Sequence, residues 1–263
     1  MSILNIIFFS LGLSLVLLWA GALGRLRLKL ALIGALGVLL TMGGLLALAV
    51  LPGNSFYGPV VTKAATSKRL VALTFDDGPY SPYTQQLLKV LKARQVKATF
   101  FMVGDNALAQ PDLVEAVKAE GHEIGLHAGT HVDLLKLNKK EIAANLQRGR
   151  EVLAAHGIKA AYFRPPHGFK DWQVMEVARE QGLTVVNWSV IPRDWTNPGA
   201  QVIAQRVLDQ VEPGAIILLH DGDSPQGRAP RQQTVEAVEV LVEELGKLGY
   251  GFCTISELLA HRS

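Results

Sequence analysis

Residues 69–103 read RLVALTFDDGPYSPYTQQLLKVLKARQVKATFFMV. Two short β-branched and aromatic runs, RLVALTF and KATFFMV, flank SPYTQQLLKVLKARQ, whose apolar residues recur at helical spacing. A strand, a helix and a second strand in so short a stretch make a crossover unit, which joins parallel strands. Ser81 stands at the expected N-cap of the helix, with Pro82 at its first position. The same alternation continues. HEIGLH, AAYFRP, LTVVNWS, AIILLH and YGFCTIS read as further strands, and PDLVEAVKAEG, NKKEIAANLQRGREVLAAHG, DWQVMEVAREQG and RQQTVEAVEVLVEELGKLG as the helices between them. Seven such units predict an α/β domain with a parallel sheet curled into a barrel. Residues 69–263 fall short of the ~250 residues of a full eight-fold barrel, so the expected form is an incomplete, distorted (β/α) barrel.

Upstream the composition changes. Residues 3–24 and 30–52 are apolar and free of charge, each long enough to cross a bilayer as a helix of about 20 residues. Arg25, Arg27 and Lys29 lie in the short loop between them, and a basic loop stays cytoplasmic. The expected organisation is a transmembrane hairpin over 1–52 with a cytoplasmic loop at 25–29, a linker over 53–68 and an extracytoplasmic domain over 69–263. The protein is thus expected to be a multi-pass protein of the cytoplasmic membrane. Two other readings stand beside this one: a buried helical hairpin of a soluble protein, and a late signal peptide ending at the Ala-Leu-Ala of 47–49. The whole chain carries 26 Lys and Arg against 23 Asp and Glu, an excess equal to the three loop cations. The pI near 9.0 therefore gives no argument for nucleic acid as a partner. The single Cys253 excludes an intramolecular disulfide, and its apolar flanks suggest a buried strand.

Polar residues interrupt the strands at one end. Asp76 and Asp77 follow the first run, His127 ends the third, Arg164 the fourth, Asp194 follows the fifth and His220 ends the sixth. In a parallel barrel these carboxyl ends share the face on which active sites are built. Adjacent aspartates repel by about 1 kcal/mol in water and by more near a protein surface, so a cation nearby is expected. His127 and His131, four residues apart in HAGTH, can join Asp77 as a His-His-Asp set with an open position, as catalytic zinc sites require. Asp76 is then free to act as general base, with Arg164 placed to keep it ionised. His220 remains as proton donor, with Asp194 to hold its imidazole and raise its pKa. His122, His156, His167 and His261 read as ordinary solvated or packed side chains.

The motifs TFDDGP, HAGTH, RPPHG, RDW and LLH resemble, in order, the five motifs of the polysaccharide deacetylases, the NodB-homology or carbohydrate esterase family 4 enzymes. The resemblance covers about residues 68–260. It implies a distorted barrel of the NodB type that hydrolyses N-acetyl groups of amino sugars with a divalent metal, usually zinc, with cobalt, manganese or nickel as alternatives. It also implies Asp76 as base, Asp77, His127 and His131 as ligands, Arg164 as the group orienting Asp76, and Asp194 as the residue tuning the acid His220. Trp195 and Leu218 would line the slot for the acetyl methyl, and the backbone N–H of His167 would help hold the oxyanion. Two positions depart from the pattern: Ala128, where Ser or Thr is common, and Ile191, where many members carry another acid. The substrate so implied is an N-acetylated glycan of the cell envelope or an exported polysaccharide, such as peptidoglycan, a chitin-like polymer or poly-N-acetylglucosamine. Two alternatives remain: a deacylase or deformylase of a lipid-linked sugar, and a catalytically silent glycan-binding module of the envelope.

Overall fold

The computed structural model describes residues 3–223 and 230–261. One sheet holds β1 (Leu70–Asp76), β2 (Thr99–Met102), β3 (Glu123–Leu126), β4 (Tyr162–Phe163), β5 (Thr184–Val185), β6 (Ile216–His220) and β7 (Gly251–Phe252). Every pairing is parallel, in the order β5-β4-β3-β2-β1-β6. Strand β7 pairs with Leu70 and Val71 at the start of β1, while β6 pairs with Ala72 through Asp76. Among the described residues, only isolated bridges continue the curl beyond β5: Val186 pairs with Val61, and Val190 with Ile217 of β6. The barrel expected from the sequence is present and incomplete in this sense.

The period-2 alternation of β1 decides what faces the barrel's inside. Val71, Leu73 and Phe75 join the large apolar cluster under the helices, where Phe75 stacks on Phe100 with ring centroids 5.0 Å apart. Ala72 points the other way, into a smaller cluster with Phe101, Trp188 and Leu218. Thr74 and Asp76 share that inner face by parity, which aims Asp76 into the barrel. Cys253 belongs to the same inner cluster, and burial pushes its thiol up to about 12, consistent with a packing role.

The helices around the sheet are α3 (Tyr83–Ala93), α4 (Gly104–Ala109), α5 (Pro111–Ala119), α6 (Lys139–Ala155), α7 (Trp172–Glu180), α8 (Ala200–Leu208), α9 (Gln232–Lys247) and α10 (Ile255–Ala260). Helix α6 starts at a capping box, in which the Asn138 side chain accepts from the N–H groups of Lys140 and Glu141, and Glu141 accepts from the Asn138 N–H. Such a cap is worth about 1 kcal/mol. Ser81 does not cap α3, which begins at Tyr83 after Pro82. The Ser81 hydroxyl instead accepts from Gln85. Helix α8 has no counterpart among the helices expected from the sequence.

Two long apolar helices precede the barrel, α1 (Ile3–Ala22) and α2 (Leu28–Val50), and they pack against each other. The segment 53–68 is no free tether. Val61 and Lys63 bridge to Val186 and Ala215, the Ala64 N–H donates to the Gly214 carbonyl, and Tyr57 is buried. Its few apolar residues follow neither a helical nor a strand period, so the sequence reads as a linker although Tyr57 and Ala64 are buried.

Candidate active site

The β1 carboxyl end delivers Asp76 and Asp77 side by side. Asp76 Oδ1 receives Nη1 of Arg164 at 2.7 Å, and both side chains are buried. Burying a guanidinium costs several kcal/mol unless its donors are satisfied. Here Nη1 also donates to Thr74 Oγ1, Nε to the Val186 carbonyl and Nη2 to the Asn187 carbonyl, with the Phe101 ring 4.1 Å from the guanidinium carbon. Arg164 is therefore a fixed positive charge behind Asp76, and Asp76 Oδ2 remains as the oxygen nearer the histidines, 3.9 Å from His127 Nε2.

His127 and His131 come from the loop after β3. His127 Nδ1 lies 2.7 Å from the Arg164 carbonyl, which can only accept, so Nδ1 carries the proton and Nε2 turns to the aspartates. Asp77 Oδ1 lies 3.4 Å from His127 Nε2 and 3.2 Å from His131 Nε2. It is buried without a hydrogen-bond partner. One ligand atom from each of Asp77, His127 and His131 falls within 4.8 Å of the others. A buried carboxylate oxygen between two imidazole nitrogens is a donor set that fits a divalent cation. Without a cation, burial disfavours the charge of Asp77, but the adjacent His127 and the nearby imidazoles of His220 and His131 outweigh this and hold its carboxyl well below the usual range. Burial and the neighbouring His127 push His131 down to about 4.

The loop holding His131 is clamped from α6. Asn145 Oδ1 accepts from the Gly129 and Thr130 N–H groups, and Asn145 Nδ2 donates to Thr130 Oγ1. The approach of α6 requires Gly149, where a Cβ would come within 2.8 Å of the Ala128 carbonyl. Ala128 itself adopts φ 69°, and its carbonyl accepts from the Gly104 N–H.

Across the cleft His220, last in β6, sets Nδ1 2.8 Å from Asp194 Oδ1. Asp194 is wholly buried in a 3-10 turn, and its Oδ2 accepts from the His220 N–H and from Thr234 Oγ1 of α9. Burial opposes the imidazolium, but Asp194 prevails and pushes His220 up to about 9. The Trp195 ring stands edge-on to His220 at 5.3 Å, and Leu218, two residues before His220 on β6, shares its face. His167, at φ 61°, is exposed and sets its ring 4.9 Å from that of His131. The side chain read as ordinary thus forms part of the wall.

One cleft of about 440 Å³ is lined by eight of the ten sequence-derived site residues; Arg164 and Asp194 stand behind it. A larger cavity of about 610 Å³ lies between residues 59–63 and 175–185 and holds no cluster of titratable groups. His122 accepts from the Ala98 N–H, His156 meets Glu115, and His261 meets Lys68, all away from the cleft. Sequence reasoning missed Asn145, Thr234, Val50, Pro52 and Asp221. Asp221 is buried against Thr84, and a Cβ at Gly78 would overlap its carboxylate, so it supports the turn after Asp77.

The polysaccharide deacetylase family matches residues 63–186. Over 207 residues the chain is 37% identical to a peptidoglycan-N-acetylglucosamine deacetylase of Bacillus cereus, covering 78% of this chain and 95% of that protein. The chain belongs to the polysaccharide deacetylase family. Like other polysaccharide deacetylases it is a hydrolase acting on carbon–nitrogen bonds other than peptide bonds. It is also 37% identical over 201 residues to a chitooligosaccharide deacetylase of Sinorhizobium fredii, covering 74% of this chain and 94% of that one. Among solved structures, a peptidoglycan N-acetylglucosamine deacetylase bound to a benzamide superposes with TM-score 0.72 at 34% identity, covering 78% and 94% of the two chains. A CE4 family pseudoenzyme from Bacillus anthracis superposes with TM-score 0.71 at 29% identity, covering 78% and 70%. The family thus includes both an enzyme and a pseudoenzyme of this shape, so the site, not the fold, has to carry the function.

Proposed function

We propose that this protein is a membrane-anchored, metal-dependent deacetylase that hydrolyses N-acetyl groups of amino sugars in a cell-envelope or exported glycan. One observation carries the reading: Asp77, His127 and His131 converge in the same cleft as an arginine-held Asp76 and an aspartate-held His220. A silent binding module has no need of all five. The names of the relatives support an amino-sugar substrate.

Asp77, His127 and His131 would hold the cation, most suitably zinc, through one carboxylate oxygen and two imidazole nitrogens. When bound it supplies Lewis acidity, polarising the amide carbonyl and making the attacking water more acidic. Asp76 takes the proton of that water on Oδ2 while Arg164 holds Oδ1 and fixes the carboxylate's orientation. The backbone N–H of His167 receives the developing oxyanion, and Trp195 and Leu218 enclose the acetyl methyl. His220, protonated and aimed by Asp194, gives a proton from Nε2 to the departing nitrogen. A C–O bond forms, the C–N bond breaks, and acetate and a free amino sugar leave.

The hairpin reading rests on exposure. Phe8, Phe9, Leu15 and Leu40 are each about two-thirds exposed, whereas the core helix of a soluble protein would bury such side chains. Removal of a signal peptide after Ala49 would break the bond from the Lys170 N–H to the Ala49 carbonyl. A reporter fused at Lys68 should read extracytoplasmic; a cytoplasmic reading would overturn the proposed orientation.

The test of activity is acetate release from acetylated chitooligomers and peptidoglycan by the zinc-loaded full chain. D76N and H220A should each lower the rate by about 10²–10⁴-fold. If both variants match the wild type on every substrate, the catalytic assignment fails.

A further inference from the structure

The outer end of α2 is built into the catalytic cleft. Val50, the last residue of α2, and Pro52 line it together with the two ligand histidines. They sit against the loop after β4, which carries His167. Lys170 of that loop is buried; its N–H donates to the Ala49 carbonyl and its Nζ to the carbonyls of Leu51 at 2.7 Å and Pro52 at 3.3 Å. An ammonium at this position satisfies carbonyls that a helix end leaves unpaired and meets the negative end of the helix dipole. The Asn187 side chain also donates to the Pro52 carbonyl, while the backbone carbonyl of Asn187 accepts from Arg164. Hydrogen bonds through Asn187 and Arg164 thus link Pro52 to Asp76.

This junction sets the cleft's height above the bilayer. Helix α2 has 23 residues, about 34 Å of rise, against a hydrocarbon layer of about 30 Å. Val50 thus lies at the outer edge of that layer, and the cleft opens beside it. An aromatic group packs beside the last turns of α2: the Tyr57 hydroxyl donates to the carbonyl of Leu45, about 7.5 Å of helix rise before Val50, and Tyr57 packs edge-on to Trp172 at 4.7 Å, with Phe56 beside both. Trp172 and Phe56 are exposed, as aromatic residues at a headgroup layer are. Helix α1 touches the 3-10 turn Leu134–Lys136 that follows His131, so both membrane helices abut loops of the cleft.

We propose that the substrate is an N-acetylated amino sugar still carried on a membrane lipid, which enters the cleft from the bilayer surface past Val50 and Pro52. The inference rests on the deacetylase reading above and narrows its substrate. A polymer in the envelope would have to descend to the membrane plane to reach Asp76, whereas the headgroup of a glycolipid already sits there.

The test uses the zinc-loaded full chain in lipid nanodiscs. The probe is an N-acetylglucosamine trisaccharide linked to a long-chain lipid in the disc, compared with the same trisaccharide free in solution and with peptidoglycan. The wild type should show a kcat/KM at least tenfold higher for the lipid-borne sugar, and K170M should bring that ratio toward one. A ratio near one in the wild type, or a preference for peptidoglycan, overturns the proposal and leaves the deacetylase reading intact. Acetate release from none of the three overturns both. A second measurement does not depend on K170M folding. In a W19F background, brominated lipids should quench tryptophan fluorescence, and adding W172F should remove most of that quenching. Absence of quenching places the cleft away from the bilayer and overturns the proposal.

Discussion

Arg164 Nη1 and Asp76 Oδ1 meet at 2.7 Å with both side chains shut away from water. Each charge is tolerable there only because of the other. R164M leaves a buried carboxylate without its partner, which typically costs 3–5 kcal/mol, and frees it from the orientation that Arg164 imposes. The expected outcome is an unfolding free energy, read from urea titration, lowered by that amount together with loss of acetate release. R164K should recover part of the stability but not the rate, because an ammonium cannot reach Asp76, Thr74, Val186 and Asn187 together.

In the proposed mechanism His220, held by Asp194, sets the alkaline limit of activity. The folded-state value of about 9 lies above the ordinary 6.5, so His220 stays protonated until the pH rises through about 9. The pair's contribution to stability is full below about 6.5 and is lost over the same rise. The rate should fall on the alkaline side, and D194N should move that limb down toward the ordinary imidazole range. The negative field of Asp76 and Asp77 helps raise His220, so a bound cation offsets it. Imidazole nitrogen NMR should therefore find His220 titrating lower in the zinc-loaded protein than in the metal-free one. Equal titration in both states would place the cation elsewhere.

Asn145 makes no contact with the substrate slot, yet its amide holds the loop on which His131 stands. N145L removes three hydrogen bonds and leaves the N–H of the buried Gly129 and the half-buried Thr130 without their acceptor, at about 1–3 kcal/mol for a fully buried unsatisfied group. Loss of such an outer support typically weakens metal binding 10–100-fold. Calorimetric zinc titration should find that drop. N145D, which keeps the acceptor but not the donor, should recover much of it; zinc affinity unchanged in N145L would show that the loop holds without the clamp.

The parts of the site legible in the sequence are those attached to strand ends. Asp76, His127, Arg164 and His220 each terminate or follow an apolar run, and parallel strands bring such ends together without further information. Asn145 and Thr234 were not legible because a polar residue on an amphipathic helix looks the same whether it meets water or a loop. The junction of Lys170 with Leu51 was hidden for a different reason. It joins residues 119 positions apart through backbone carbonyls, and carbonyls leave no trace in side-chain pattern. The segment 53–68 carries too few apolar residues to show a period, although Tyr57 and Ala64 are buried. Ser81 matched an N-cap by residue type, but its hydroxyl went to Gln85.

The orphaned Asp77 Oδ1 carries the last expectation. A buried carboxylate oxygen with no hydrogen-bond partner costs about 1–3 kcal/mol or more, and a cation between it and the two imidazoles would remove that cost. Elemental analysis of the full chain should find about one divalent ion, which a chelator removes together with activity and which zinc, cobalt, manganese or nickel restores. The ion should also raise the melting temperature, by an amount set by its concentration over its dissociation constant. D77N and H131A should lose both the retained ion and the thermal shift, while D76N should keep them, because Asp76 is held by Arg164 and is not among the three ligands. Retention of the ion and of the shift in D77N would sink the assignment of that carboxylate.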